Sequence, residues 1–567
     1  MPKYIFICGG VMSGVGKGVA TASIAKILSW YGYRVTCLKI DPYVNVDAGT
    51  MNPIEHGEVF VLKDGTECDQ DMGHYERFLN IDLTKENYMT TGSVYLSLIQ
   101  KERSLYFDGK CVEVVPHVPL EVIEKIEKAR KINKAEIVIT EIGGTVGEYQ
   151  NVLFLEAVRI LKLRKPKDVI LVLVSYLPYQ GEGMELKTKP TQYAVRTLNS
   201  VGLQPDFILA RAFKPLDELR KEKIAFNCSL NTQDIISAPD EKITYKIPLN
   251  FESDKLGEKI LKKLSLKPKK IKKREKILWA REINKILDFE RSVKIGIIGK
   301  YFKTGSFVLA DSYISVIESI KHASWFLGYK PEIYWLNSQE YEEDLKKLEE
   351  LKNYDGIIVP GGFGSRGVEG KILSIKYARE NKIPFLGLCY GFQLMIVEFA
   401  RNVCNLKNAH TTEVNPKTPY PVIDILKTQK KLLRENLYGG TMRLGDQKCF
   451  VKKGTIAYEA YKNFYKVSKK IFNFKFTKDK KQITLNERHR HRYEVNKKYY
   501  KILQKNGLIF SGYHRQGSSY LIEIAELPRD IHPFFVGVQF HPEFKSRFLN
   551  PHPLYVEFIK ASTKKKL

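Results

Sequence analysis

The stretch Pro384-Phe385-Leu386-Gly387-Leu388-Cys389-Tyr390-Gly391-Phe392-Gln393 constrains this chain more than any other. An apolar run, Ile383 to Leu388, reads as a buried strand, and the apolar-periodic segment Phe392 to Ala400 reads as a helix that follows at once. Between them sits a thiol with glycines at i−2 and i+2, where a side chain would crowd so sharp a turn. This is the logic of the Gly-x-Ser-x-Gly nucleophile elbow with sulfur in place of oxygen. The position opens a helix, whose N-terminal dipole favours an ionised nucleophile. Far downstream, Val536-Gly-Val-Gln-Phe-His541-Pro-Glu543 reads as a strand whose end offers an imidazole and a carboxylate. Residues i and i+2 share a strand face, which would let Glu543 orient His541 and His541 serve Cys389. A lone cysteine is more often a packed core side chain. Its occurrence together with His-Pro-Glu and an upstream Pro360-Gly361-Gly362-Phe363-Gly364 turn favours chemistry instead.

The chain opens on a second pattern. Tyr4 to Cys8 is a short apolar strand, Gly9-Gly10-Val11-Met12-Ser13-Gly14-Val15-Gly16-Lys17-Gly18 is a glycine-rich loop, and Ala20 to Trp30 reads as a helix. Such a strand, loop and helix aim backbone N–H groups at an anion, and Lys17 adds a point charge. The loop departs from a strict Walker A motif, because its glycine spacing is off by one and Gly18 stands where a Ser or Thr usually binds Mg²⁺. Carboxylates from elsewhere would then be needed, and Asp69-Gln70-Asp71 and Glu141, at the end of the apolar strand Ala135 to Thr140, are candidates.

Alternating apolar strands and helices argue for an α/β protein with two doubly wound domains and mainly parallel sheets. A polar basic run, Lys262 to Lys276, marks a break, giving expected domains 1–266 and 292–567 with a basic linker 267–291. No apolar run is long enough to span a bilayer, and the eight cysteines show no Cys-x-x-Cys or zinc spacing, as suits a reducing cytoplasm. The net charge of +28 invites a nucleic-acid reading. The lysines are spread over linker, helix faces and the segment Lys462 to Lys481, with no binding module among them, so no nucleic-acid partner is expected. That segment alternates aromatics and lysines and suggests an extra hairpin with one wet face.

The glycine turn, the elbow and His-Pro-Glu, in this order, resemble the class I glutamine amidotransferases. The resemblance implies that Cys389 attacks the glutamine side-chain amide, forms a thioester and releases ammonia. The N–H groups of Gly362 and Tyr390 would form the oxyanion hole, His541 would protonate the leaving ammonia and Glu543 would fix its tautomer. Longer strings narrow the family: Lys39-Ile40-Asp41-Pro42-Tyr43-Val44-Asn45-Val46-Asp47-Ala48-Gly49-Thr50-Met51, His56 to Val61, Gly73 to Phe78, Glu141 to Gly147, Lys187 to Gln192 and Glu487 to Glu494. Together they resemble the CTP synthase family over nearly the whole chain.

The family resemblance implies ATP-dependent amination of UTP to CTP in a homotetramer, with Mg²⁺, GTP activation and CTP feedback. ATP would lie on Gly14, Val15, Gly16, Lys17, Gly18 and Val19, with Lys39 at its phosphates, Asp71 and Glu141 on Mg²⁺ and Arg211 near the adenine. UTP would use Ser13, Lys187, Thr188, Lys189, Pro190, Thr191, Gln192 and Lys223. CTP would share the triphosphate site and place its base near Glu148, Tyr149 and Gln150, where this chain departs from the family by lacking an acid at the last position. Glutamine would be held by Gly362, Tyr390, Gly391, Phe392, Gln393, Glu413 and Arg492. Pro53, His56 and Val59 would line an ammonia passage, and Arg366 to Glu369 resembles the loop through which GTP acts. Another synthetase–amidotransferase fusion, such as a cobyrinate diamide synthase, is the nearest rival; Lys187 to Gln192 argues against it. A nucleotide-sensing or filament-forming scaffold that has lost activity is a second rival, opposed by the intact Lys17, Asp71, Cys389, His541 and Glu543.

Overall fold

The computed structural model describes residues 2–181, 185–299, 303–304, 307–308, 310–362, 364–425, 442–467, 475–476, 481–517 and 519–564. They form two units: Met1–Thr50 with Cys68–Asn284, and Met51–Glu67 with Lys285–Leu567.

The first unit is built on seven strands: β1 (Lys3–Gly10), β2 (Val35–Asp41), β3 (Tyr88–Thr90), β4 (Ile137–Thr145), β5 (Val169–Tyr176), β6 (Phe207–Ala212) and β7 (Ile235–Pro239). Their order is β7-β6-β5-β1-β4-β2-β3, and every pairing is parallel. Helices cover both faces of such a sheet, so its strands read as unbroken apolar runs. All eight β1 residues, KYIFICGG, are accordingly buried. The basic run expected to be a linker differs. Lys273–Leu287 is a helix whose Trp279 is buried edge-on against Trp30 and donates its indole N–H to the Tyr245 carbonyl at 2.7 Å. An aromatic anchor inside the expected linker holds it to the first unit.

The second unit contains a ten-stranded sheet. Its strands are β8 (Ser292–Gly299), β9 (Lys330–Asn337), β10 (Gly356–Val359), β11 (Phe385–Leu388), β12 (Arg443–Lys452), β13 (Lys475–Phe476), β14 (Gln482–His491), β15 (Ile509–Gln516), β16 (Ser519–Glu526) and β17 (Phe535–Val538). The order β9-β8-β10-β11-β17-β16-β15-β12-β14-β13 is parallel through β17 and antiparallel beyond it. The antiparallel extension was not legible in the alternation of strands and helices, because helices Ile456–Val467 and Tyr500–Lys505 also separate its strands and so mimic parallel crossovers.

Residues 51–67 pack in the second unit although they lie within the first by sequence. Glu58 accepts the Ser315 N–H at 3.2 Å where helix Ile314–Phe326 begins, Phe60 meets Phe544 edge-on at 4.9 Å, and the Val61 carbonyl accepts from Arg488 at 3.1 Å. The hairpin expected over Lys462 to Lys481 is corrected in its first part. Ile456–Val467 is a helix with Tyr458, Tyr461 and Phe464 buried at a spacing of three, one helical face. Lys475–Phe476 pairs antiparallel with β14, and residues 468–474 and 477–480 lie outside the described ones. No helix among the described residues is long and apolar enough to cross a membrane.

Candidate active sites

In the second unit, β11 ends at the carboxyl edge of the parallel strands and the chain turns directly into helix Tyr390–Asn402. Cys389 makes the turn at φ 47°, ψ −95°, backbone values that an L residue rarely adopts and that cluster at functional sites. Two hydrogen bonds hold it there: its N–H donates to the Val538 carbonyl at 2.7 Å, and its carbonyl accepts from Gln393 N–H at 3.0 Å. The flanking glycines are required by each other and by a neighbouring strand. A Cβ on Gly387 would stand 2.9 Å from the Gly391 backbone, and one on Gly391 would stand 2.0 Å from the Val359 carbonyl oxygen of β10. Close approach of three backbones makes the elbow.

His541 and Glu543 are buried beside it, with His541 Nδ1 2.7 Å from Glu543 Oε1. The route to this contact corrects the strand-face expectation. β17 ends at Val538, and Pro542–Lys545 is a 3-10 helix that His541 precedes, so a tight turn brings Glu543 back onto the imidazole. Proline favours this, since it is tolerated in the first turn of a helix and cannot donate within a strand. Burial works against a charged imidazole, but the Glu543 carboxylate and the neighbouring Cys389 outweigh it, and His541 is raised to about 10. His541 Nε2 is buried without a hydrogen-bond partner among the described residues, an arrangement that leaves one N–H for an incoming group. Catalytic bonds commonly tighten only when substrate binds. Gly361 packs against the same ring, where a Cβ would lie 3.0 Å from His541 Cε1. Gly362 follows it, and Tyr390 opens the helix with its hydroxyl donated to the Gly364 carbonyl at 3.0 Å. Gln393 is buried and donates Nε2 to the Tyr493 carbonyl at 3.2 Å, and Phe392 is fully buried under the sheet. Glu413 accepts the Gly364 N–H at 3.0 Å, and Arg492 is half-buried next to Tyr493.

The basic string Arg488-His-Arg-His-Arg492 is largely interior. Arg488 is fully buried, Arg490 pairs with Glu67 at 2.7 Å, and strand alternation turns His489 and His491 toward Arg443, Glu494 and Glu523. Burial and the Arg443 charge hold both imidazoles well below their ordinary range, hence neutral. Sequence reading missed this network, although Glu523 inside the apolar run Leu521 to Ala525 was a signal for it. Donor atoms of His489, His491 and Glu523 lie within 4.8 Å of one another, but the Arg443 guanidinium, 2.8 Å from Glu523, already supplies the positive charge. Pro53 and His56 bound a short helix, and Val59, which follows it, is buried.

In the first unit the loop after β1 carries Gly14 at φ 68° and Gly16 at φ 90°, and helix Lys17–Trp30 begins at once. Lys17 Nζ donates to the Gly144 carbonyl at 2.9 Å. The Gly18 departure from Walker A has a steric cause: a Cβ there would stand 1.9 Å from Asp71 Oδ1. The aspartate carboxylate fills the space of the missing hydroxyl side chain. Register assembles the rest. Lys39 of β2 is the strand neighbour of Glu141 on β4, and its ammonium lies 2.8 Å from Glu141 Oε1, 2.5 Å from Asp71 Oδ2, 3.7 Å from Asp41 and 3.8 Å from Asp69. Tyr75 donates its hydroxyl to Glu141. Burial disfavours ionising either acid, yet Lys39 holds Asp71 well below the carboxylate range, whereas burial and the Asp71 charge push Glu141 up to about 7.

Arg211 Nη1 donates to the Gly14 carbonyl at 3.1 Å and its Nε to Asp240 at 2.9 Å. It walls a cleft shared with Val15, Val19, Pro239 and Phe251. Ser13 is exposed at the loop tip. Thr188, Thr191 and Gln192 are buried at the start of helix Lys189–Ser200, which has Pro190 in its first turn, and Thr191 Oγ1 lies 2.8 Å from Ser175 of β5. Lys187 pairs with Glu185 at 2.7 Å, Lys189 is exposed, and Lys223 is exposed on helix Glu218–Asn227. Glu148 Oε1 accepts the Thr145 N–H at 2.9 Å, while Tyr149 and Gln150 are exposed.

Known proteins match both units. The family described as CTP synthase N-terminus matches residues 3–266, and glutamine amidotransferase class-I matches residues 308–561. A CTP synthase of Saccharolobus solfataricus is 49% identical, covering 99% of each chain. One of Pyrococcus abyssi is 46% identical over 99% of this chain and 98% of its own length. Among solved structures, a Trypanosoma brucei CTPS glutaminase domain with bound acivicin matches at TM-score 0.41 and 33% identity, covering 48% of this chain and 94% of its own. With both halves matched by their family models and relatives aligned over nearly its full length, the chain belongs to the CTP synthase family.

Proposed function

We infer that this chain forms CTP from UTP, ATP and glutamine. The observation that carries the reading is the strained Cys389 at a helix start beside a buried, charged His541–Glu543 pair, in a chain whose other half belongs to the synthetase family. Sulfur attacks the carboxamide carbon of glutamine, and the C–S bond forms as the oxygen takes the electron pair. His541 gives its proton to the leaving nitrogen, the C–N bond breaks and ammonia departs, leaving a thioester that water hydrolyses to glutamate. Gly362 and Tyr390 N–H groups stabilise the oxyanion, and Gly391, Phe392, Gln393, Glu413 and Arg492 hold the substrate.

In the first unit ATP phosphorylates the uracil O4, and ammonia displaces the phosphate. Gly14 to Val19, Lys17 and Lys39 take the triphosphate, and Arg211 with its cleft takes the adenine. Ser13, Lys187 to Gln192 and Lys223 take UTP. The donor set fits Mg²⁺: Asp71 and Glu141 offer hard carboxylate oxygens, and with Asp41 and Asp69 they place four acids around the single Lys39 ammonium. Bound there, Mg²⁺ supplies positive charge to the phosphates. Further parts of the proposal are GTP stimulation through Arg366 to Glu369, competitive CTP feedback with the base near Glu148 to Gln150, and a homotetramer stabilised by nucleotides through mass action. The test is CTP formation from UTP, ATP, Mg²⁺ and glutamine. Glutamine hydrolysis without CTP, with ammonia also ineffective, refutes the reading.

A further inference from the structure

The catalytic sulfur has a neighbour to which the reading above gives no part. Gln539 is fully buried, and its Nε2 lies 3.8 Å from Cys389 Sγ, within the range of an N–H···S hydrogen bond. On its other side the sulfur lies 3.7 Å from the Arg490 carbonyl oxygen, which can accept only while the thiol keeps its proton. The sheet creates the contact: Leu388 of β11 and Val538 of β17 are register partners, so Cys389 and Gln539 are the next pair beyond the parallel edge. The Gln539 backbone is fixed there by its N–H donated to the Glu523 carbonyl at 2.8 Å. Its side-chain Oε1 is buried with no partner among the described residues. An unmet buried carbonyl costs stability, and an apolar side chain of the same length would avoid that cost. Buried unsatisfied groups call for a functional explanation.

We propose that the Gln539 carboxamide is a catalytic hydrogen-bond donor to Cys389 Sγ, holding the ionised sulfur for attack and for release from the thioester. The Arg490 carbonyl can accept from the sulfur only as a thiol; toward the ionised sulfur beside the protonated His541 it is repulsive, and the Gln539 N–H is the group that stabilises that sulfur. This rests on the glutaminase reading of Cys389, and the test separates the two.

Gln539→Met and Gln539→Glu are compared with wild type in two assays at pH 7: glutamine hydrolysis, and alkylation by iodoacetamide read peptide by peptide. Cys111, the exposed cysteine, serves as internal reference. Loss of a hydrogen bond to a charged acceptor should slow alkylation of Cys389 by about tenfold to a hundredfold. The kcat of glutamine hydrolysis should fall similarly, KM should stay within about twofold, and Cys111 should be unchanged. Gln539→Glu, of the same shape, should be slower than Gln539→Met because a carboxylate then faces the sulfur; it carries the test if the apolar variant fails to fold. Alkylation of Cys389 in either folded variant within twofold of wild type, or a change confined to KM, overturns the proposal. A wild type whose Cys389 alkylates readily yet hydrolyses no glutamine overturns the underlying reading instead.

Discussion

Glu141 is where function and stability oppose each other most directly. It is fully buried in β4, holds Lys39 at 2.8 Å and accepts from Tyr75, and burial with the Asp71 charge raises it from 4.5 to about 7. A folded-state value above the unfolded one means that the carboxyl's stabilising contribution is present in full below about pH 4.5. It is lost as pH rises through about 7. At about 1.4 kcal/mol for each pH decade, the loss amounts to about 3 kcal/mol. Glu141→Gln has the same shape and no titration, so its stability relative to wild type should rise by about 3 kcal/mol between pH 4.5 and pH 8. Asp41, also raised, to about 6, remains in both proteins and largely cancels in the comparison. The assay is chemical denaturation of both proteins across that range without Mg²⁺ or nucleotide. The same substitution should lower glutamine-driven and ammonia-driven synthesis alike, since phosphorylation of UTP precedes either route. Stability profiles that run parallel from pH 4.5 to 8 would refute the electrostatic reasoning.

Cys389→Ala should abolish glutamine-driven synthesis and retain synthesis from free ammonia; loss of both in a folded protein would contradict the division of labour. Glu543→Gln should cut glutamine hydrolysis by about a thousandfold or more, as mis-set tautomers do. Because His541 is raised to about 10, its contribution is present in full below about 6.5 and lost as pH rises through about 10. Wild type should therefore exceed Glu543→Gln by about 3 kcal/mol at pH 7, with the gap closing toward pH 10, and a constant gap in urea titrations would show that the pair is not charged. Gln150→Glu should tighten CTP inhibition by about 1 kcal/mol, one net hydrogen bond, with KM for UTP nearly unchanged; equal inhibition constants would remove Gln150 from base recognition.

Local patterns carried much of this molecule into view before any coordinates. Strand, turn and helix around Cys389 are legible because apolar run, glycine-flanked thiol and apolar-periodic segment are consecutive, although the contact that forbids a Cβ on Gly391 comes from Val359 of β10. The phosphate loop is legible because a short glycine-rich turn, with Gly14 and Gly16 at positive φ, lies between consecutive strand and helix, and the parallel sheets are legible from the alternation of such elements. What lay beyond reach was set by neighbours distant in sequence. Gly18 reads as a defect in a motif until Asp71 is found in the space its side chain would occupy. Lys39 reads as a phosphate ligand, and only the β2–β4 register places its ammonium among four carboxylates. His541 and Glu543 meet through a 3-10 turn rather than a strand face. Residues 51–67 join the second unit through the Glu58, Phe60 and Val61 contacts, each made with a residue more than 200 positions away. The physical reason is common to all of them. Periodicity and turn sterics are properties of a few consecutive residues, whereas charge compensation and side-chain contact depend on which strands become neighbours, and that is decided by the sheet as a whole.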